Sequence, residues 1–209
     1  MIVEPHASEG ILLCTSNVYS DSRGSFKEIY NLEVLRKLGG EKFVQQNLVR
    51  SGKNVIRGMH WQSHPYMQAK LITVISGEII DVFVDLRPGS KSFNSAFEVK
   101  LNSSESRSIF IPTGFAHGYQ SLTEDTVVSY SVTKSYSPIS ENRINPLSSE
   151  FKNFWVSPFI LGNDDEKAPF FNSKISYLEN FSMQSTTFSI SKFDSLGCKG
   201  IDKLVSFRM

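Results

Sequence analysis

The chain has 209 residues, with 22 Lys+Arg against 21 Asp+Glu, 4 His and 2 Cys. That length suits one large domain better than two small ones, and 40% apolar with 21% charged residues is an ordinary soluble composition. A net charge of +1 excludes a protein that holds nucleic acid or anionic lipid by gross basic charge, and no apolar run reaches the ~18–20 residues that span a bilayer. The 16 Phe, 7 Tyr and 2 Trp tilt the composition toward β structure. Cys14 and Cys198, at opposite ends, form neither a disulfide framework nor a zinc pattern, and they suit a reducing compartment. The first residues, MIVEPHASEG, lack a basic region followed by an apolar run, so a cytoplasmic location is expected.

Residues 10–19 are apolar and rich in β formers. A helix is predicted from Asn31 to Leu38: Asn31 caps it, Leu32, Val34 and Leu35 supply an apolar side, and Gly39-Gly40 ends it. Short strand-like segments follow at 43–49, 54–62, 69–76, 79–87, 95–101, 107–112 and 126–136, separated by Gly, Pro, Asn or Ser clusters. Many short strands at this spacing predict an all-β sandwich or barrel. The run 71–75, a turn through Ser76-Gly77-Glu78 and the run 79–85 read as a hairpin. In its second strand Asp81, Phe83 and Asp85 share one face, and Ile80, Val82 and Val84 the other. Alternation over 126–136 puts Val128, Tyr130, Val132, Lys134 and Tyr136 on one side, so both tyrosines are expected to look into one space. Residues 172–209 hold 8 Ser and little periodicity, and they read as an appendage to a domain spanning 1–171.

Three clusters offer chemistry. In Arg57-Gly58-Met59-His60-Trp61-Gln62, His60 offers a base near neutrality. Arg57 and Lys70 nearby suit an anionic ligand. A flat strand would turn Arg57 and His60 to opposite faces, unless a bulge at Gly58 realigns them. The plain alternative for any such His is a structural hydrogen bond. His60 and His64 are four apart, but a strand gives that spacing poor chelating geometry, so no metal is expected there. Pro112 to Tyr119 brackets His117 with Gly114 and Gly118, and reads either as a turn with a structural His or as a motif of cupin barrels. Metal-binding cupins carry a His-x-His and a Glu in the other motif; His60 with Gln62 leaves that set incomplete. Leu161 to Pro169 is an acidic loop in which Asp165 either is solvated or orients a histidine.

Taken in order, the motifs resemble the dTDP-4-dehydrorhamnose 3,5-epimerase family, nucleotide-sugar epimerases of cupin type. The resemblance covers about residues 10–170. It is carried by Asp21 to Glu28, Phe43 to Asn47, Arg57 to Gln62, Gln68 to Leu71 and Gly77 to Arg87. It continues through Ile111 to Gly118, Tyr130, Tyr136-Ser137-Pro138, Ile144-Asn145-Pro146, Trp155, and Asp165 with Pro169. The resemblance implies a cupin-type jelly-roll fold with a few short helices. It implies epimerisation at C3, C5 or both of a nucleotide-linked 4-keto-6-deoxyhexose, through an enolate. His60 is then the base, Asp165 its orienting carboxylate, Tyr130 the acid on the opposite side and Lys70 the cation that stabilises the enolate. Arg57 and His117 fall where the family lines the sugar pocket. Arg23, Glu28, Gln45 and Asn47 fall where it holds the nucleotide and its phosphates, and Tyr136 is implied among the substrate-binding residues. The resemblance implies no metal and no redox cofactor. It also implies a homodimer whose N-terminal segment, with Arg23 and Glu28, crosses to the partner.

The chain departs from the pattern at Leu48-Val49, Ser131, Ser135, Gly162 and Asp164, where a polar pair with Ser, a Lys, an aromatic, a Ser and a Lys are usual. These departures bear on which sugar and nucleotide are taken, and they keep three alternatives open. One is a single-centre epimerase, one a ketoisomerase that moves the carbonyl between C3 and C4, and one a non-catalytic sugar-nucleotide-binding cupin.

Overall fold

The computed structural model describes residues 1–6, 10–174 and 177. Its strands are β1 (Ile2–Pro5), β2 (Leu12–Thr15), β3 (Val18–Asp21), β4 (Gly24–Lys27), β5 (Gln45–Ser51), β6 (Val55–Gln62) and β7 (Lys70–Ser76). They continue as β8 (Glu78–Asp85), β9 (Ala96–Asn102), β10 (Arg107–Ile111), β11 (Phe115–Ser121), β12 (Thr126–Val132), β13 (Glu141–Arg143) and β14 (Ile160–Leu161). Two short helices, α1 (Leu32–Lys37) and α2 (Asn163–Glu166), complete the regular elements together with two single 3-10 turns. One sheet runs β1-β2-β10-β7-β12-β5 and the other β13-β6-β11-β8-β9, with β14 parallel to β6.

Strand alternation divides the apolar residues among three layers. Ile72, Val74, Ile109, Ile111 and Val128 of the first sheet meet Phe83, Val99, Leu101, Phe115 and Tyr119 of the second, and this is the core between the sheets. Burying each such side chain contributes about 1.5–3 kcal/mol. The outer face of the second sheet, with Ile56, Met59, Trp61, Ile80, Val82 and Val84, is covered by Ile144, Phe151, Trp155 and Phe171 from the chain's later part. The outer face of the first, with Cys14, Leu71 and Phe110, is covered by Val34 and Leu38 at α1. Asn31 does cap α1, its Oδ1 accepting from the Val34 amide at 2.9 Å. β8 divides as its alternation requires, with Phe83 in the inner core and Ile80, Val82 and Val84 outside it.

Three expectations change. The 10–19 run is two strands, β2 and β3, and β3 forms an exposed hairpin with β4. The strand expected over 126–136 ends at Val132; its last residues turn away, so Tyr136 is placed by a loop and not by alternation. Residues 115–121, bracketed by Gly and Pro and therefore open to a turn reading, form the fully buried strand β11 between β6 and β8. Gly118 suits that strand because β6 passes so close: a Cβ there would lie 2.8 Å from the Arg57 oxygen and 2.9 Å from Gly58 Cα. Most of the Ser-rich segment lies outside the described residues. Of it, Tyr177 stacks on Phe171 with ring centroids 5.4 Å apart and meets Trp61 edge-on at 5.6 Å.

Candidate active site

A cavity of about 550 Å3 opens between the two sheets. The first sheet contributes Val49 of β5, Lys70 and Ile72 of β7, and Val128 and Tyr130 of β12. The second contributes Arg57 and His60 of β6, His117 and Tyr119 of β11, and Arg143 of β13. Residues 162–165, leading into and forming α2, close one side. An adjoining cavity of about 270 Å3 shares His60, Lys70 and Tyr130, and adds Gln45, Asn47, Gln62, Tyr136 and Glu141.

The bulge considered at Gly58 is present. His117 pairs with His60 and Tyr119 with Arg57, so two steps on β11 match three on β6. The extra residue turns both Arg57 and His60 toward the cavity while Ile56, Met59 and Trp61 enter the outer core. Gly58 has φ +138°, a backbone region that favours glycine, and a Cβ on it would lie 2.4 Å from Gly118 Cα.

His60 Nε2 lies 2.6 Å from Asp165 Oδ1. Asp165 sits on α2, only 8% exposed, and its Oδ2 accepts from the Gly58 amide at 3.3 Å. Burial works to raise the Asp165 carboxyl, but hydrogen bonds and charge from His60, the Gly58 amide and Arg143 together hold it below its usual range. The carboxylate therefore stays ionised beside the ring. With Nε2–H donating to Asp165, the neutral ring keeps its lone pair on Nδ1.

Lys70 Nζ donates to the His60 carbonyl at 3.2 Å. Burial pushes the Lys70 ammonium down to about 8, although the charges of Asp81 and Glu141 oppose the drop. Burial raises the Tyr130 phenol, with Arg57 acting against the rise. Tyr130 and His60 stand on opposite sheets and line both cavities, so they flank one space. His117 hydrogen-bonds through Nε2 to Asp81 Oδ1, and both are buried. Burial lowers His117, the Asp81 carboxylate partly restores it, and the Lys70 charge lowers it further.

Around the second cavity, Gln45 Nε2 donates to Asn47 Oδ1 at 2.9 Å, and Gln45 Oε1 accepts from the Tyr136 amide at 2.9 Å. Gln62, in the place of a second cupin histidine, secures the loop instead: its Oε1 accepts from the Ser137 amide at 2.6 Å, and its Nε2 donates to the Tyr66 carbonyl at 2.6 Å. Among the described residues no group of three or more His, Cys, Asp or Glu is arranged to hold a metal ion, and no described helix is long and apolar enough to cross a membrane.

Nine of the eleven expected site residues thus meet at the two cavities. Arg23 and Glu28 do not. Arg23, 88% exposed, pairs with Asp21 on the β3–β4 hairpin, and Glu28 accepts from Asn31 at 2.7 Å. Sequence reasoning missed Asp81 as the partner of His117, although it had put Asp81 on the same strand face as Phe83. It also missed Arg143 and Glu141, which no motif had singled out.

The family model for dTDP-4-dehydrorhamnose 3,5-epimerase matches residues 6–173. The chain is 41% identical over 146 residues to the dTDP-4-dehydrorhamnose 3,5-epimerase of Salmonella typhimurium, covering 69% of this chain and 80% of that one. Among solved structures it resembles a dTDP-6-deoxy-D-glucose-3,5-epimerase from Legionella pneumophila in complex with dTDP-4-keto-L-rhamnose. The TM-score is 0.76 at 34% identity, over 81% of this chain and 92% of that one. It also resembles a 3'-monoepimerase from Streptomyces bikiniensis in complex with dTDP-quinovose, with TM-score 0.73 at 28% identity over 79% and 86% of the two chains.

Proposed function

The chain belongs to the dTDP-4-dehydrorhamnose 3,5-epimerase family, and we propose that it inverts C3, C5 or both of a nucleotide-linked 4-keto-6-deoxyhexose of the dTDP-4-dehydro-6-deoxyglucose type. The observation that carries this reading is a carboxylate-held histidine facing a tyrosine across one cavity, 2.6 Å separating His60 Nε2 from Asp165 Oδ1.

The 4-ketone acidifies the neighbouring C–H bonds. His60 Nδ1 removes the C3 or C5 proton, and the electron pair moves into an enolate on the 4-oxygen. Asp165 stabilises the imidazolium that forms. The Lys70 ammonium offers a cation to the developing oxyanion, where a preorganised charge is worth most. Tyr130 returns a proton from the opposite sheet, and the centre is inverted. Arg57 and His117 bind the sugar. Gln45, Asn47 and Tyr136 line the second cavity, which suits the nucleotide.

In this reading the domain is 1–171 with 172–209 appended, the location is cytoplasmic and the active unit is a homodimer. The exposed hairpin supports the last point. It carries Tyr19 and Phe26 at 64% and 67% exposure, with Arg23 and Glu28 away from their own chain's cavities. Mixing His60→Asn chains with Arg23→Ala/Glu28→Ala chains is expected to restore activity in half of the sites of mixed dimers.

The deciding experiment is NMR in heavy water with dTDP-4-keto-6-deoxyglucose, counting deuterium at C3 and C5. Label at both carbons identifies a 3,5-epimerase. Label at one identifies a single-centre enzyme, as the monoepimerase neighbour is named. No label with folded protein overturns the catalytic reading for this substrate, and a shifted carbonyl identifies a ketoisomerase.

A further inference from the structure

Arg143 has no part in the mechanism above, yet it is the cross-strand neighbour of His60. β6 lies between β11 and β13, so His60 has His117 opposite it on one side and Arg143 on the other. A cation beside a base that must accept a proton is at first sight unfavourable, because it opposes the imidazolium.

The contacts resolve this. Arg143 Nη1 donates to Asp165 Oδ1 at 2.8 Å, the same oxygen that His60 Nε2 approaches at 2.6 Å, and it lies 3.2 Å from Nε2 itself. Its Nη2 donates to Glu141 Oε2 at 3.0 Å. Asp164 Oδ2 stands 4.0 Å from Nη2. The guanidinium is therefore a fork between two carboxylates, and its charge is met by three. Glu141 Oε2 in turn accepts from the Tyr136 hydroxyl at 3.0 Å. One chain of hydrogen bonds runs from Tyr136 at the second cavity through Glu141, Arg143 and Asp165 to His60.

The charged and titratable groups that face His60 are Arg57 on its own strand, Lys70 of β7, His117 of β11 with Asp81 of β8 behind it, and Tyr130 of β12. Arg143 and Glu141 of β13 and Asp164 and Asp165 of α2 complete the set. Of these, Arg143 alone lies against both the ring and its carboxylate; with Nε2–H directed at Asp165 the two nitrogens are both donors, so the tie runs through Oδ1, which accepts from each. Asp165 needs such a tie. Its helix has only four residues, and the Gly58 amide holds its other oxygen at a long 3.3 Å.

We infer that Arg143 is a positioning residue. By donating to Asp165 Oδ1 and to Glu141 Oε2 it holds Asp165 Oδ1 against His60 Nε2 and so keeps the neutral ring in the Nε2–H form with Nδ1 free as the base. The inference deepens the epimerase reading and rests on it for its catalytic meaning. A planar guanidinium fits this bridge; a lysine ammonium is a single point of charge.

The test compares the unaltered protein with Arg143→Gln and Arg143→Lys. Nitrogen-15 NMR of the His60 ring, assigned with His60→Asn, reads the tautomer without turnover. Arg143→Gln is expected to lower the Nε2–H fraction and to cut kcat for deuterium exchange roughly tenfold, well short of the ~10⁴ that follows an inverted tautomer. Affinity for dTDP is expected to stay within about threefold, because the residue acts on the ring. Arg143→Lys is expected to fall between the two. A folded Arg143→Gln protein with unchanged tautomer and kcat overturns the inference, as does a loss confined to dTDP binding. If Arg143→Gln does not fold, Arg143→Lys decides alone: unaltered tautomer and kcat overturn the bridge, and loss of both supports it. If the unaltered protein exchanges neither C3 nor C5, the epimerase reading fails, and the ring spectrum still judges Arg143.

Discussion

Two histidine–aspartate pairs stand a strand apart in this molecule and have opposite surroundings. His60 and Asp165 are 28% and 8% exposed, at the cavity edge, with the carboxylate brought by a helix far along the chain. His117 and Asp81 are 8% and 0% exposed, on adjacent strands of one sheet. The first carboxylate is also tied to Arg143 and the Gly58 amide. The second keeps Oδ2 without a hydrogen-bond partner among the described residues. A ring that shuttles protons needs access and a carboxylate that stays ionised. A ring that only presents a fixed donor gains from being sealed. The same two residue types serve both ends because burial and the third partner differ.

The sharpest way to separate the pairs is to remove the rings one at a time. His60→Asn is expected to lower deuterium exchange at C3 or C5 by about 10³-fold or more, measured by NMR with circular dichroism confirming the fold. His117→Asn is expected to lower kcat/KM by about tenfold, mostly through KM, because in the proposed function this ring binds the sugar and carries no proton. Equal losses in kcat for the two variants would erase the distinction between them.

The carboxylates come next. Asp165→Asn removes the charge that stabilises imidazolium and is expected to reduce kcat by roughly 10²-fold, with a small effect on stability. Asp81→Asn is expected to do the reverse. It breaks a buried pair at a cost of roughly 3 kcal/mol, which thermal melting reads as a Tm drop of about 6–12 °C, while kcat of the folded fraction changes only a few-fold.

What the sequence revealed of these pairs follows the distance between partners. His60, Arg57 and Lys70 lie close in sequence; strand period alone turned Arg57 and His60 to opposite faces, and only the bulge that the structure has at Gly58 brings them to one cavity with Lys70 of the other sheet. Alternation along β12 gave the face that Tyr130 takes, and the family resemblance set it opposite His60. Tyr136 does share the second cavity with Tyr130, but for another reason: the strand stops at Val132, and hydrogen bonds that Tyr136 donates to Gln45 and Glu141 place it. β11 was ambiguous because Gly114 and Gly118 resemble turn residues, when Gly118 in fact serves the close approach of β6. Asp81 was put on one face with Phe83, but its partner comes 36 residues later. Arg143 reaches His60 across 83 residues and belongs to a three-residue strand with no readable period. Periodicity reports the face a residue takes and stays silent on which distant strand will pair beside it.

Lys70 joins the two pairs, and the smallest expected effect tests that link. Its ammonium donates to the His60 carbonyl, and its charge also depresses His117. Burial lowers it to about 8, whereas the Tyr130 phenol is raised from its ordinary value. The two groups therefore place the alkaline limb of the rate profile differently. If the enolate needs the Lys70 cation, the rate falls as pH rises through about 8, because Lys70 loses its proton there. If only the Tyr130 proton matters, the rate holds until above ~10. We expect the limb near 8. Lys70→Arg, which stays charged throughout, is expected to move that limb upward to where the Tyr130 phenol loses its proton while lowering the plateau a few-fold. Tyr130→Phe is expected to lower the plateau and leave the limb in place. An arginine variant whose limb stays near 8 would assign the titration to another group, and Lys70 would then belong to the scaffold shared by the two histidines.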